Sequence, residues 1–302
     1  MGFGSNQENL EEFEYAKNYQ FIRGDISNPE LINRLVKYTD LIINFAAETH
    51  VDRSIAGSGQ FITSNILGTY SLLEAIRRFN DSVKYVQIST DEVHGDILQG
   101  SFSELDRINP SNPYSATKAS ADMLCLAYHR TYGLNLNITR CTNNFGPYQF
   151  PEKLIPKAII SALMNSPIPI YGNGKNVRDW IFVLDHCEAI FRVLYDGKPG
   201  EIYNISSGNE LPNITIVKKI LKILSKPEDL IIFVEDRPGH DLRYSLDSSK
   251  ICSDLKWKPR HTLNSALRET VKWYVNNAWW WEPMATKEVL HPTPWNELQL
   301  QH

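Results

Sequence analysis

Short apolar runs alternate with longer stretches of helical periodicity through the first half of this 302-residue chain. Residues 41–47, 83–89 and 134–141 have the composition of buried strands, whereas residues 65–78 and 112–132 have the pattern of helices. Strands separated by helices pair in parallel, because each helix carries the chain back to the same end of the sheet. The sequence therefore predicts an α/β fold built on a doubly wound parallel sheet.

The second half of the chain has a different character. Proline and loop-forming residues become more frequent after residue 146, and short strand-and-turn segments such as residues 168–174 replace the long helices. We therefore place a boundary near residue 146, between a sheet domain over residues 1–145 and a smaller lobe over residues 146–302. The tryptophans at residues 279–281 are predicted to close a helix that begins near Asn264, and to serve in packing or in a subunit contact.

Composition narrows the class of function. Charged residues make up 22% of the chain and the net charge is -4, so we expect no basic surface for nucleic acid or for an anionic membrane. No apolar run approaches the roughly 20 residues of a membrane-spanning helix, and no signal sequence is evident. The four cysteines are scattered and the eight histidines do not cluster, which argues against disulfides and against a metal site. We expect a cytoplasmic protein with reduced thiols.

Two adjacent carboxylic acids, Asp91 and Glu92, follow the predicted strand over residues 83–89, with Thr90 before them. The carboxyl end of a parallel strand is the usual place for ligand chemistry in an open α/β sheet. Two carboxyl groups in unlike surroundings can differ in protonation, so that one accepts a proton while the other donates one. An isolated Asp-Glu pair is also typical of an acidic turn or a helix cap, but its neighbours in this sequence favour a catalytic pair.

Tyr114 and Lys118 are four residues apart in the helix predicted after Asn112, and they therefore lie on one face of it. A tyrosine is a poor base at neutral pH, but a nearby ammonium and a cationic nicotinamide ring would lower its pKa. Such a tyrosine can accept a hydroxyl proton while the carbon beneath loses hydride. The spacing alone is common, and only its combination with the acid pair indicates oxidation and elimination at one site.

Seven motifs, in order along most of the chain, resemble the nucleotide-sugar branch of the extended short-chain dehydrogenases, and within it the dTDP-glucose 4,6-dehydratase family. They are residues 44–54 (NFAAETHVDRS), 89–93 (STDEV), 112–118 (NPYSATK), 143–148 (NNFGPY), 150–156 (FPEKLIP), 178–180 (RDW) and 236–241 (DRPGHD). The resemblance implies a Rossmann-like NAD-binding domain over residues 1–145, to which residues 177–201 return. It also implies that residues 146–302 mainly form a nucleotide-sugar-binding lobe.

The resemblance implies a hydro-lyase that converts dTDP-glucose to dTDP-4-keto-6-deoxyglucose and water, in deoxysugar biosynthesis, with NAD bound throughout. Tyr114, helped by Thr90, would deprotonate the 4-hydroxyl while hydride leaves C4 for NAD. Glu92 would remove the C5 proton and Asp91 would protonate the departing C6 hydroxyl. Hydride would then return to C6. Lys118 would hold the ribose of the cofactor and tune Tyr114.

The resemblance also assigns binding residues. Those for the cofactor are Asp25, Ile26, Ala46, Ala47, Ser64, Tyr114, Lys118 and Asn144. Those for the substrate are Thr49, Thr90, Asn143, Lys153, Leu154, Pro169, Ile170, Tyr171, Arg178, Asn213, Asp236, Arg237 and His240. Positively charged donors suit a nucleotide diphosphate, and we expect a tight turn at residues 172–175 to position Arg178. The same resemblance implies a homodimer through the helices near residues 65–78 and 114–132.

Two departures from the family pattern bear on these expectations. His94 replaces the tyrosine that usually follows Asp-Glu-Val, a change that we expect to be tolerated. The glycine-rich cradle for the NAD pyrophosphate, with the strand before it and the helix and strand after it, has no counterpart in the sequence. We interpret the chain as an enzyme truncated at its start. A non-catalytic sugar-nucleotide-binding remnant that binds NAD poorly is the alternative.

Another enzyme class and another dehydratase substrate remain as alternatives at this point. A related NAD-dependent epimerase or decarboxylase of nucleotide sugars would share the fold and the cofactor, but it does not need an acid pair such as Asp91 and Glu92. A dehydratase that acts on UDP-glucose would need the pair. Residues 236–240 resemble the dTDP enzymes more closely, and this favours dTDP-glucose.

Overall fold

The computed structural model describes residues 4–298, which form a parallel sheet covered by helices and a second lobe with two small sheets. The strands are β1 (Leu41–Asn44), β2 (Lys84–Thr90), β3 (Leu136–Cys141), β4 (Asn143–Phe145), β5 (Ile168–Tyr171), β6 (Val177–Phe182), β7 (Ile202–Ile205), β8 (Glu210–Pro212) and β9 (Ile231–Val234). The helices are α1 (Pro29–Val36), α2 (Val51–Ala56), α3 (Gly59–Phe61), α4 (Gly68–Phe79), α5 (Pro113–Tyr132), α6 (Leu154–Leu163), α7 (Val183–Asp196), α8 (Asn213–Leu224), α9 (Ser249–Leu255), α10 (Leu263–Asn276), α11 (Ala278–Trp281) and α12 (Pro294–Leu298). A π-helix, Ile62–Leu67, precedes α4, and 3-10 helices lie at Gln7–Phe13, Asp91–His94, Glu228–Leu230 and Glu282–Met284. No helix in the part of the chain that the structure describes is long and apolar enough to cross a membrane.

The central sheet has four parallel strands in the order β1-β2-β3-β7. Successive residues of β2 enter different apolar cores, as a strand with helices on both faces requires. Tyr85 packs with residues of α1, α4 and α5 on one face. Val86 packs with residues of α7 and α9 on the other face. The predicted doubly wound, Rossmann-like α/β fold is confirmed.

The last strand of this sheet comes from far along the chain. β3 pairs with β7 in parallel, with Ile138 opposite Ile202 and Cys141 opposite Ile205. Between these strands the chain builds β4, α6, β5 and β6 before α7 packs back onto the sheet. The division into domains at residue 146, with residues 177–201 returning to the first, stays a prediction.

The second lobe is organised around an apolar core of its own. Helices α6, α8 and α10 contribute fully buried residues to it, among them Ile159, Ile220 and Leu267. Two small sheets complete the lobe, one with the order β4-β6-β8 and one that pairs β5 with β9. These sheets bring the ends of β5 and β6 toward the carboxyl end of β2, where the acid pair lies.

The first predicted strand is shorter than expected. The pattern over residues 41–47 predicts seven residues, but β1 ends at Asn44. The side-chain oxygen of Asn44 accepts a hydrogen bond from the backbone N–H of Ala46 at 3.2 Å. Such local bonds compete with the ladder of a sheet, so the chain turns away at this point.

The helix predicted over residues 65–78 begins as the π-helix and becomes an α-helix at Gly68. Within the π-helix, the side chain of Asn65 bonds to both backbone groups of Glu48 and to the hydroxyl of Thr117. These contacts join parts of the chain that are distant in sequence. Apolar periodicity cannot reveal them.

The tryptophans at residues 279–281 lie on the separate short helix α11 rather than at the end of α10. Trp280 and Trp281 are buried, and Trp279 is half exposed. The ring of Trp280 packs edge-on against Tyr148 and Trp273, at centroid distances of 5.6 and 5.1 Å. The predicted packing role therefore applies to the two buried rings.

Candidate active site

The acid pair lies at the carboxyl end of β2, at the start of the 3-10 turn Asp91–His94. Thr90 is the last residue of the strand and caps this turn, because its hydroxyl oxygen accepts from the backbone N–H of Glu92 at 3.3 Å. The same hydroxyl donates to Oδ1 of Asp91 at 3.0 Å. The end of the strand thus fixes the carboxyl group of Asp91 and the backbone of Glu92.

The two carboxyl groups have unlike environments. Burial, and then the charge of Glu92, raise the pKa of Asp91 to about 8. Oδ2 of Asp91 is buried and has no hydrogen-bond partner among residues 4–298, which suits a protonated oxygen. Burial also raises the pKa of Glu92, but Arg237 and Arg178 oppose the rise. Asp91 is therefore the group suited to donate a proton at neutral pH, and the charges of Arg237 and Arg178 favour the ionised form of Glu92.

Tyr114 and Lys118 lie on the first turns of α5. The helix begins where the sequence predicts, because Asn112 and Ser115 form a capping box at its start. Tyr114 and Lys118 are both buried, one turn apart. The ammonium of Lys118 donates to the carbonyl oxygen of Ile88 in β2. This bond fastens the helix to the strand that carries the acid pair.

The expected lowering of the tyrosine pKa is wrong for the protein alone. Burial, and then the charge of Glu92, raise the pKa of Tyr114 well above its usual value. Burial also lowers the pKa of Lys118, whose ammonium bonds to the backbone rather than to the phenol. The sequence shows the spacing of the two residues but not the depth at which they are buried.

A buried ion pair, which the sequence analysis missed, lies next to Lys118. Arg140 on β3 contacts Asp122, one turn after Lys118 on α5, at an N–O distance of 3.0 Å. Arg140 also donates to Nε2 of His94 at 3.1 Å, and Nδ1 of His94 donates to the carbonyl of Arg107 at 3.0 Å. Burial lowers the pKa of His94 to about 4, so the ring is neutral. Both ring nitrogens are satisfied, which explains how a histidine is accommodated here.

A cavity of about 160 Å³ lies beside Glu92 and opens to solvent. Most of the predicted substrate residues line it, namely Thr49, Asn143, Lys153, Leu154, Pro169, Ile170, Tyr171, Arg178, Asn213, Arg237 and His240. The side-chain oxygens of Asn143 and Asn213 are buried without a partner in the described part of the chain, so both can accept from a ligand. Two members of the predicted set are outside the lining. Thr90 is buried behind Glu92, and Asp236 is exposed.

The expected turn follows β5 and connects it to β6. Gly172 and Gly174 have φ of 54° and 68°, in the left-handed region that favours glycine. A Cβ atom on Gly172 would lie 2.8 Å from Oδ2 of Asp236. The turn therefore brings Asp236 close, and it places Arg178, two residues into β6, on the cavity wall.

His240 is held by the exposed Asp236, whose Oδ1 lies 2.6 Å from Nδ1 of the ring. Burial, and then the Arg237 charge, lower the pKa of His240 to about 4, although the carboxylate acts in the opposite direction. His240 is therefore a neutral group in the cavity wall. It cannot add to the positive charge that a diphosphate would meet there.

The guanidinium of Arg178 is engaged by the protein itself. It donates to the carbonyl oxygens of Val177 at 2.7 Å and Asp241 at 2.8 Å, and its Cζ lies 4.2 Å from the ring centroid of Tyr244. None of these direct partners is an anion. A direct contact with a diphosphate, as the resemblance implies, stays a prediction.

Asp52 is a buried residue that the sequence analysis did not single out. Its Oδ1 accepts from Arg237 at 2.9 Å, and its Oδ2 accepts from the hydroxyl of Tyr171 at 2.8 Å. Burial acts to raise the pKa of Asp52, but His50 and Arg237 lower it to about 2. Asp52 therefore fixes two of the predicted substrate residues. The only signal in the sequence is its place inside the motif at residues 44–54.

Three of the predicted cofactor residues lie near the carboxyl ends of strands. Ala46 and Ala47 lie in the loop just after β1, which ends at Asn44. Asn144 lies on β4, and its side-chain oxygen is buried with no partner within the described residues. Lys118, another predicted cofactor residue, bonds to Ile88 near the carboxyl end of β2.

Three further cofactor residues lie on the α1 and α4 side of the sheet. Ser64 is in the π-helix that leads into α4. Ile26 packs against the start of α4, since a Cβ atom on Gly68 would lie 2.5 Å from Cδ1 of Ile26. Asp25 accepts from the backbone N–H of Ser27 at 2.8 Å, in the loop before α1. This group is separate from the cavity that Glu92 lines.

The sequence matches a known family and is similar to named relatives. Residues 4–270 match the family model described as GDP-mannose 4,6 dehydratase. The chain is 46% identical to the dTDP-glucose 4,6-dehydratase of Streptomyces niveus, over 97% of its own length and 87% of the relative's. It is 44% identical to the Escherichia coli dTDP-glucose 4,6-dehydratase, over 93% and 86% of the two chains.

Solved structures give the same result. DesIV, a dTDP-glucose 4,6-dehydratase from Streptomyces venezuelae with NAD bound, matches with a TM-score of 0.91 and 44% identity, over 92% of this chain and 86% of that one. The NAD complex of the Bacillus anthracis dTDP-glucose 4,6-dehydratase matches with a TM-score of 0.88 and 42% identity, over 94% and 88%. This chain therefore belongs to the GDP-mannose 4,6-dehydratase family, among whose members it is related to the dTDP-glucose 4,6-dehydratases.

Proposed function

We propose that this chain is an NAD-dependent lyase that converts dTDP-glucose to dTDP-4-keto-6-deoxyglucose and water. The observation that carries the proposal is the unlike pair at the end of β2, where Asp91 has a pKa of about 8 and an unpartnered Oδ2 among the described residues. Elimination of water needs an acid for the leaving hydroxyl as well as a base for the carbon-bound proton. A reaction that only interconverts a hydroxyl and a ketone does not need this acid. Identities of 46% and 44% to enzymes of this name support the same activity.

The groups around Lys118 fit the nicotinamide ribose of NAD. An ammonium has three donors, and Ile88 is the acceptor that residues 4–298 provide for Lys118, so two donors are available to ribose hydroxyls. The buried oxygen of Asn144 has no partner among the described residues and suits an amide donor. When bound, NAD supplies the acceptor for hydride from C4 and its later donor to C6.

The first proton transfer in the proposed reaction occurs at the 4-hydroxyl of the sugar. Tyr114 accepts this proton as a phenolate. Lys118, one turn away, supplies the positive charge that stabilises the phenolate before the transfer. Thr90 orients the hydroxyl, because its own hydroxyl is held by Asp91 and Glu92 at the end of the strand. In the protein alone the pKa of Tyr114 is raised, so the phenol holds its proton, and the positive charge of a bound nicotinamide ring would have to lower this pKa before Tyr114 accepts.

The elimination uses the acid pair. A ketone at C4 makes the C5 proton acidic, and Glu92 removes it. Asp91, which is protonated below a pH of about 8, gives its proton to the C6 hydroxyl, which leaves as water. Glu92 then returns its proton to C5. The proton gained by Tyr114 and the proton lost by Asp91 balance over one turnover.

The nucleotide is proposed to occupy the cavity beside Glu92. Lys153, Arg178 and Arg237 supply positive charge for the diphosphate. Nε of Arg237 is buried and unpartnered among the described residues, while its Nη1 is held by Asp52. This arrangement leaves one edge of the guanidinium for a ligand.

The test is incubation of the purified chain with NAD and dTDP-glucose, followed by the alkali-induced absorbance of a 4-keto sugar. We expect product with dTDP-glucose and less with UDP-glucose at equal concentration. Absence of product from both, in a folded protein that binds NAD, would reject the dehydratase proposal. Faster turnover of UDP-glucose would assign the activity to the alternative nucleotide.

We further propose that the protein is a homodimer. Helix α5 and the π-helix carry an open apolar groove lined by Ile66, Pro110, Ala116, Ala119, Met123 and Leu124. Tyr70 on α4 and Met123 on α5 are each 45% exposed, so a large apolar surface would be covered by a second copy. Light scattering should give twice the chain mass for the wild type and the chain mass for Met123→Glu. A wild-type monomer would reject this proposal.

A cytoplasmic location is proposed from the thiols and the reaction. All four cysteines are free, and Cys125 and Cys141 are buried. Reduced thiols are typical of the cytosol, where nucleotide sugars and NAD are also available. Fractionation of cells that express the chain should recover it with the cytosolic markers. Recovery with the membrane or secreted fractions would contradict the proposal.

A further inference from the structure

Tyr244 makes a contact that the reaction above does not use. Its hydroxyl oxygen lies 3.4 Å from Oε2 of Glu92 and hydrogen bonds to Oδ2 of Asp241. The side chain is buried, and its ring is fixed by the guanidinium of Arg178 at 4.2 Å. Asp241 is also held, because the hydroxyl of Ser111 donates to its Oδ1. Tyr244 is therefore presented to Glu92 in one orientation.

A phenol has a single proton, and in this site two carboxyl groups face it. A separation of 3.4 Å is long for an O–H···O hydrogen bond, whose usual length is about 2.7–2.8 Å, so Tyr244 donates its proton to Asp241. The lone pairs of the phenol oxygen then face Glu92. Lone pairs repel a carboxylate but accept a hydrogen bond from a carboxylic acid.

We propose that Tyr244, oriented by Asp241, is a positioning residue that strengthens Glu92 as a base by accepting a hydrogen bond from its protonated form. The inference rests on the proposed function, in which Glu92 takes the C5 proton and later returns it. While Glu92 holds that proton, the bond to Tyr244 retains it in the site until it returns to C5. No proton passes to Tyr244, so the balance of the reaction is unchanged.

Other charged and titratable groups act on Glu92 and set the background for a test. They are Asp91, Tyr114, Lys153, Arg178, Arg237 and Asp241. Burial raises the pKa of Glu92, Arg237 and Arg178 lower it, and Asp241 raises it. Tyr244→Phe leaves all of these groups in place and keeps a ring beneath Arg178. A change in this variant therefore isolates the hydroxyl.

The experiment compares the wild type with Tyr244→Phe, and uses Tyr203→Phe as the matched control. Tyr203 is also a buried phenol, but its oxygen accepts from the backbone N–H of Lys198, away from the cavity. Two pH titrations are measured. The first follows the acid limb of kcat with C5-deuterated dTDP-glucose as the substrate. The second follows the NMR shift of the Glu92 carboxyl carbon, whose signal is assigned by its loss in Glu92→Gln. We expect both midpoints to fall by about 1 pH unit in Tyr244→Phe and to stay unchanged in the control. The isotope effect on kcat should rise, and KM should change less than kcat.

An unchanged midpoint in Tyr244→Phe would overturn the proposal. A higher midpoint would overturn it too, because Tyr244 would then be donating to the carboxylate. Asp241→Asn should also lower the midpoint, and by less when residue 244 is already Phe. The NMR titration needs no turnover. If the Glu92 midpoint falls in Tyr244→Phe while the wild type makes no 4-keto product, the proposed function is rejected and this inference is not.

Discussion

Arg237 donates from Nη1 to Oδ1 of Asp52 at 2.9 Å, and this bond joins side chains that are 185 residues apart in the chain. Asp52 lies on α2, which follows the first strand of the central sheet, whereas Arg237 follows β9 in the second lobe. Tyr171, at the end of β5, donates to the other oxygen of the same carboxylate. A single buried anion thus organises one wall of the cavity.

Asp52→Ala should destabilise the fold and weaken substrate binding. Breaking a buried ion pair leaves an uncompensated charge, so we expect the free energy of unfolding to fall by about 3 kcal/mol. KM for dTDP-glucose should rise by roughly tenfold, because Arg237 and Tyr171 lose their common acceptor. Urea denaturation and initial rates measure the two effects, with the exposed Asp81→Asn as the control. Wild-type values for both would show that the pair does not organise the cavity.

The pH dependence of kcat should have a basic limb set by Asp91. Its pKa is raised, so the acid form is fully present well below a pH of about 8 and is lost as the pH rises through that value. Activity should therefore fall above this pH with the slope of one ionisation. The limb should disappear in Asp91→Asn, whose residual activity would be flat over the same range. A limb that persists in the variant would assign it to another group.

Asp91→Asn and Glu92→Gln should separate the two halves of the elimination. Both should lose about 10²- to 10⁴-fold in product formation, the usual contribution of a positioned acid or base. Asp91→Asn should still exchange the C5 hydrogen with solvent deuterium, because Glu92 remains. Glu92→Gln should lose that exchange. Mass spectrometry of recovered dTDP-glucose measures it, and C5 exchange at the wild-type rate in Glu92→Gln would move the base to another residue.

Lys118→Ala should weaken NAD binding. The change removes two ammonium donors that are available to ribose hydroxyls, and hydrogen bonds to charged groups contribute about 1.5–3 kcal/mol each. We expect the dissociation constant measured by calorimetry to rise at least about tenfold. The exposed Lys17→Ala should bind as the wild type does. Equal affinity in Lys118→Ala would remove this residue from the cofactor site.

The parts of the site that the sequence predicts are those fixed by local geometry. Tyr114 and Lys118 share a helical face because they are four residues apart. Asp91 and Glu92 follow an apolar run, and the end of such a strand is where ligands bind. Asp52 escapes this reasoning, since its partners are 119 and 185 residues away.

The same division holds for the fold. Helix α5 starts within one residue of its predicted position because Asn112 and Ser115 cap it through their own neighbours. The π-helix before α4 was not predictable, because Asn65 takes its partners from Glu48 and from the hydroxyl of Thr117. Depth of burial is equally invisible in the sequence. It is burial that raises the pKa of Tyr114, where spacing alone suggested the opposite.

Strand β7 lies far after β3 in the sequence, and this order has a consequence for folding during synthesis on the ribosome. β3 ends at Cys141, but its neighbour in the sheet is not complete until Ile205. During the interval, β3 presents an unpaired ladder edge to solvent, and such edges recruit other chains. Pairing between distant segments is also slow. Substitutions in β7, which lies away from the cavity, should therefore reduce the yield of folded protein from cells far more than they reduce the turnover of the molecules that do fold.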